Sequence, residues 1–209
     1  RPMGLDRPGH VPAEALARLK IECSNLRRQD TCKGLLICDY SDANLHQILI
    51  DEAAKGGRPR FPLVIDSRYG LSQIRAPGAV LKPNAVELAA AVDAPVHSLE
   101  DTVDAAQRLA KQTGARAVLA TKGRDGMVWV DDNIALAIDI LPYPLHFSDV
   151  TGAGDAVAAV VILGLAAELE PELILAASTA LAAEVVSRPG TAAPTPADIH
   201  RMLASIGGR

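Results

Sequence analysis

Short apolar runs recur along the chain, and between them lie longer stretches in which apolar positions return every three or four residues. Gly34 to Cys38 (GLLIC), Phe61 to Ile65 (FPLVI), Ala79 to Lys82 and Arg116 to Ala120 are runs of the first kind. They predict strands buried on both faces. Met127 to Val130 and Ile134 to Ile140 predict two more. From Pro12 to Gln29, Leu16, Leu19, Cys23 and Leu26 fall at helical spacing with charges between them, the pattern of an amphipathic surface helix. A second helix is predicted over Ala43 to Lys55, stopped by Gly56-Gly57. A third runs from Asn84 to Val92, and a fourth opens at Ser98, with Asp101 three residues on, and continues to Gly114. Two apolar helices follow Gly154 and Pro171, and Pro196 starts a last short one.

Strands that alternate with helices of ten or more residues argue for a mainly parallel sheet covered on both faces, a three-layer α/β/α fold. No linker, repeat or low-complexity block interrupts the pattern, so residues 1–209 are read as one domain. Ligands of such sheets gather at the carboxyl ends of the strands. That directs attention to the polar residues just after the apolar runs: Asp39, Asp66, Thr121 and the loop before Gly154.

Composition narrows the function. With 21 Lys+Arg against 25 Asp+Glu the net charge is -4, which offers no footprint for nucleic acid. Only 3% of residues are aromatic, which suits helices packed on a sheet better than an antiparallel sandwich. Cys23, Cys32 and Cys38 are odd in number and lack metal-ligand spacing, so reduced thiols in a cytoplasm are expected. The longest apolar stretch, Ala156 to Ala167, is well short of the roughly 18 residues of a membrane span, and the first ten residues are no signal peptide. A cytoplasmic protein without a membrane partner is expected. The first residue, Arg1 in place of Met, fits a processed or partial chain.

The most informative segment is Ser148-Asp149-Val150-Thr151-Gly152-Ala153-Gly154-Asp155, followed at once by an apolar helix. Small residues let the backbone approach a ligand, and the free N–H groups of a helix's first turn make an anion site that suits a phosphate. A tight turn before a buried helix is the simpler structural reading. A dinucleotide fingerprint needs Gly or Ala where the chain has Val157, and a Walker A loop needs Gly-Lys-Ser/Thr, which is absent. Asp155, in the first turn, either stabilises the helix dipole or, beside a bound phosphate, takes a proton from an attacking hydroxyl.

The segment resembles the Asp-x-x-Gly-Ala-Gly-Asp signature of the ribokinase-like sugar kinases, the PfkB carbohydrate kinase family. Lys82-Pro83-Asn84-Ala85-Val86-Glu87 resembles that family's Pro-Asn-x-x-Glu element, and Thr121-Lys122-Gly123-Arg124-Asp125-Gly126 its Thr-x-Gly-x-x-Gly turn beside the nucleotide. Arg188-Pro189-Gly190-Thr191 is similar to its Gly-Thr segment near the adenine and a monovalent cation. Cys38-Asp39-Tyr40 and Ile65-Asp66-Ser67-Arg68-Tyr69 look closest to heptose-phosphate kinases within the family. The resemblance covers nearly the whole chain. It implies ATP and Mg2+ as cofactors, with K+ as the monovalent cation, and a sugar or sugar phosphate as the acceptor.

Residue by residue, the resemblance makes Asp155 the general base, with Gly152, Ala153 and Gly154 as the anion hole. Asn84 and Glu87 would support magnesium through water, and Thr121, Gly123, Gly126, Thr179 and Gly190 would face the nucleotide. Asp39 and Asp66 fall on the acceptor side, and Asp149 and Thr151 at the monovalent cation. Physics leaves simpler readings open. Asn84 and Glu87 share a helix face three residues apart, and taken alone a capping box is the better account of them. Thr121 to Gly126 reads on its own as a hairpin loop, and Asp66 as a cap.

The chain also departs from the family. Ser41-Asp42-Ala43-Asn44 stands where heptose kinases carry glycines, and Thr179 where an Asn often lies near the adenine. The family's N-terminal portion and its β-sheet lid have no counterpart here. The strand of Leu35 to Cys38 or a neighbour is therefore expected at an unpaired sheet edge, hidden by a second copy in a homodimer or left prone to association. Weak nucleotide binding and poor phosphorylation by this chain alone are expected on the same ground. Two functions compete: an ATP-dependent kinase acting on a sugar or sugar-phosphate hydroxyl, and a nucleotide-binding remnant without catalysis. An NAD-dependent oxidoreductase fails on the fingerprint.

Overall fold

The computed structural model describes residues 12–40, 45–55, 59–139, 152–187, 195 and 197. Six strands, β1 (Leu35–Asp39), β2 (Leu63–Ser67), β3 (Val80–Leu81), β4 (Ala117–Thr121), β5 (Met127–Asp131) and β6 (Ala135–Ile138), form one sheet in the order of the chain. The first four are parallel, and β5 and β6 return antiparallel. Among the described residues, the helices beside them are α1 (Ala13–Arg28), α2 (Leu45–Ala53), α3 (Ala85–Val92), α4 (Leu99–Thr113), α5 (Ala153–Ala166) and α6 (Pro171–Val186). The mainly parallel sheet expected from the alternation of runs and helices is present. The helix expected at Pro196 lies in a stretch of which only Thr195 and Ala197 are described.

Alternation along the strands divides the core in two. Ile65, Leu81, Val118 and Val130 face a cluster with Ile50 of α2, Leu88 of α3 and Leu109 of α4. Their neighbours Val64, Val80, Leu119 and Trp129 face Val157 and Val161 of α5 and Ile174 of α6. A strand's side chains point alternately to opposite faces, so one sheet closes two apolar layers. The result is the three-layer sandwich.

Helix ends follow the local chemistry. Asn84 caps α3 and Ser98 caps α4, each in a reciprocal capping box with Glu87 and Asp101. Gly114 ends α4 in the left-handed conformation. The segment from Lys122 to Gly126 is the β4–β5 hairpin loop, so the simpler reading of those residues is correct as geometry. A Cβ on Gly126, at φ 87°, would collide with the carbonyl oxygen of Ile138.

β1 pairs only with β2 among the described residues, and so lies at the sheet edge, as expected for the strand of Leu35 to Cys38. Helix α1 packs on α2 beside it and leaves Leu19 and Ile21 exposed.

Candidate active site

Because β1 to β4 are parallel, their carboxyl ends open on one side of the molecule. Tyr40 follows β1, Asp66 lies near the end of β2, Lys82 follows β3, and Thr121 ends β4. Helix α5 packs against β1 and β2 and begins at this same edge, with Gly152 as its N-cap at φ 89° and Asp155 in its first turn.

Four polar side chains meet there. Lys82 Nζ lies 3.0 Å from Asp66 Oδ2, and both side chains are 5% exposed. Tyr40 Oη is 3.0 Å from the same Asp66 oxygen and 2.6 Å from Asp155 Oδ1. Burial pushes the Asp66 carboxyl above the usual carboxylate range, and the nearby Asp155 charge acts the same way. The Lys82 ammonium and the Tyr40 hydroxyl pull against it. Tyr40 is raised as well, first by burial and then by the two carboxylates it touches.

The same ammonium serves the helix end. A Cβ built on Gly154 would lie 3.7 Å from Lys82 Nζ, so the cation sits against the first turn of α5. Free N–H groups of a helix start and an adjacent ammonium favour the same guest, an anion. Asp155 is exposed beside them.

Asn84 and Glu87 adopt the capping box in full: Glu87 N–H donates to Asn84 Oδ1 and Asn84 N–H donates to Glu87 Oε2, each at 2.8 Å. The cap uses only one of the two Glu87 carboxylate oxygens, Oε2. Among the described residues no cluster of three or more His, Cys, Asp and Glu could hold a metal directly. The donor set fits a hydrated Mg2+ carried by phosphates and touched through water, since that ion keeps much of its water shell. Asn84 also bridges to Thr121, which brings the two motifs to one place.

Other candidates have different settings. Asp39 is buried, and its Oδ2 accepts hydrogen bonds from His46 N–H at 3.1 Å and from the His46 ring at 2.9 Å, which pins the end of β1 to α2. Thr179 is buried in α6, where its hydroxyl donates to the Leu175 carbonyl at 3.0 Å. Gly123 stands in open space at φ 59°. Asp149, Thr151 and Gly190 lie outside the described residues. The sequence did not single out Tyr40 or Lys82 as site residues. Their strand-end positions, and their place in the Cys38-Asp39-Tyr40 and Lys82-Pro83-Asn84 stretches, are the signals that could have found them.

Residues 13–198 match the model of the pfkB family carbohydrate kinases. The chain belongs to that family. Curated relatives include the bifunctional protein HldE of Bradyrhizobium diazoefficiens, 31% identical over 173 residues that make up 81% of this chain and 34% of the relative. The HldE of Koribacter versatilis is 32% identical over 179 residues, 85% of this chain and 34% of the relative. The chain thus spans about a third of the length of the curated relatives it matches. Among solved structures, phosphofructokinase-2 from Escherichia coli in complex with potassium superposes with a TM-score of 0.77 at 21% identity, covering 96% of this chain and 65% of that one. Arabidopsis thaliana ribokinase complexed with ribose and ATP gives 0.68 at 19%, covering 94% and 60%. The pfkB kinase fold is therefore shared with both. No helix among the described residues is long and apolar enough to cross a membrane.

Proposed function

We propose that this pfkB kinase chain transfers the terminal phosphoryl group of ATP to a hydroxyl of a sugar or sugar phosphate. The observation that carries the reading is the position of Asp155: a carboxylate in the first turn of a helix that starts at the carboxyl edge of the sheet, beside the buried Lys82 ammonium. Asp155 takes the proton of the attacking hydroxyl, and the backbone of Gly152, Ala153 and Gly154 receives the charge that develops on the phosphoryl oxygens. Lys82, held by Asp66, adds a fixed positive charge at that point.

Mg2+, when bound, would neutralise charge on the phosphates, and Glu87 would hold it through water. Thr121, Gly123, Gly126, Thr179 and Gly190 belong to the nucleotide side. Asp66 and Asp39 shape the acceptor side, Asp39 through the end of β1 that it fixes to His46. Asp149 and Thr151 hold a monovalent cation, K+ in this reading. The heptose-phosphate class is the first acceptor to test, given the HldE relatives. A second copy of the chain along the open β1 edge, in a cytoplasmic homodimer, belongs to the same reading. Its mass in solution tests that part.

The deciding experiment is a phosphoryl-transfer assay with ATP and Mg2+ on the full-length protein against a panel of sugars and sugar phosphates. Turnover of one class above the others is expected. Nucleotide binding without transfer to any acceptor would replace this reading with that of a non-catalytic remnant.

A further inference from the structure

Three elements converge on one phenol. Tyr40 leaves the end of β1 with its side chain half exposed, yet its hydroxyl points onto two carboxylates, Asp66 from β2 and Asp155 from α5. A phenol has one proton to give, and an ionised carboxylate can only accept. Lys82 already serves Asp66 Oδ2 at 3.0 Å, the same oxygen that Tyr40 Oη approaches at 3.0 Å. The contact with Asp155 Oδ1, at 2.6 Å, has the length of a charge-assisted O–H···O⁻ bond. The phenol proton therefore goes to Asp155 as the nearer acceptor, and Asp66 Oδ2, already served by Lys82, is its more distant alternative.

We propose that Tyr40 is a positioning residue for Asp155: its hydroxyl fixes Oδ1 of the carboxylate and so presents Oδ2 to the acceptor hydroxyl. The inference rests on Asp155 being the base. An exposed Asp in the first turn of a helix otherwise turns freely about its side-chain bonds, and a base that must be met at one oxygen loses rate when it turns.

Tyr40→Phe in the full-length protein keeps the ring and removes only the hydroxyl. The expected result is a fall in kcat of about ten-fold or more, with the KM for ATP unchanged. An unchanged kcat in Tyr40→Phe, or a KM for ATP that rises as kcat falls, would overturn the proposal. Asp155→Asn separates this failure from failure of the base: if that variant still turns over, the base is wrong and the Tyr40 role falls with it. If Asp155→Asn is inactive and Tyr40→Phe behaves like the parent, only the positioning role fails.

Discussion

Lys82 and Asp66 form a buried ion pair across two neighbouring strand ends, with Nζ 3.0 Å from Oδ2. Neither charge has water to turn to, so each depends on the other. Breaking such a pair from one side leaves an uncompensated charge and typically costs about 3–5 kcal/mol.

Lys82→Met should therefore destabilise the protein in a pH-dependent way. Burial raises the Asp66 carboxyl in the folded state. Without the ammonium it rises further, so the folded protein holds that proton more tightly than the unfolded chain does. Stability is then kept at low pH and lost as pH rises through the unfolded value of about 3.9 toward the raised one. Thermal melting should show a small difference from the parent near pH 4 and a large one near pH 7.5. Equal losses at both would reject the buried-pair account.

Asp155→Asn should lower phosphoryl transfer by about 10²- to 10⁴-fold, the range for a lost general base. Nucleotide affinity should hold, because Asn keeps the size of the side chain and the Gly152 to Gly154 backbone is untouched. Calorimetric titration with a non-hydrolysable ATP analogue, alongside the transfer assay, checks both halves.

The two roles available to Glu87 can be separated by one atom. Gln keeps the reciprocal capping bond to Asn84 N–H but carries no charge. Glu87→Gln should leave the melting temperature nearly unchanged while raising the Mg2+ concentration needed for half-maximal rate several-fold. Asn84→Ala, by contrast, removes the cap and should cost about 1 kcal/mol. A normal magnesium response in Glu87→Gln would leave Glu87 as a cap alone.

In the β4–β5 hairpin loop, Gly123 and Gly126 both have positive φ, but only Gly126 faces a backbone carbonyl. Gly123→Ala should cost about 1–2 kcal/mol, from the left-handed conformation alone. Gly126→Ala should cost more, since Ile138 must also move. Chemical denaturation of the two variants ranks them, and the reverse order would contradict the geometry.

The strands were legible as apolar runs, and several of them run on past the last apolar residue at their carboxyl ends. FPLVI stops at Ile65, yet β2 continues through Asp66 and Ser67. Asp39 and Thr121 extend β1 and β4 in the same way. These polar residues can stay in a strand because partners satisfy them: Lys82 for Asp66, the Tyr69 carbonyl for Ser67, His46 for Asp39. Hydrophobicity alone cannot see such partners. Capping residues were easier, since Asn84, Ser98 and Gly114 act on neighbours within a turn. Asp155 was visible from its motif, whereas its contact with Tyr40 spans 115 residues and needs the fold to appear.

Strand order follows chain order from β1 to β6, so no strand has to be inserted between two already laid down. Synthesis runs from the N-terminal end, so Tyr40, Asp66 and Lys82 are made before Asp155. Until α5 docks, the face that carries Val64, Leu119 and Trp129 stays wet, because α5 and α6 are what cover it. One event thus dries that half of the core and delivers the carboxylate to the phenol. A partly assembled chain would lack Asp155 at this edge, and the proposed base would arrive only with the last layer.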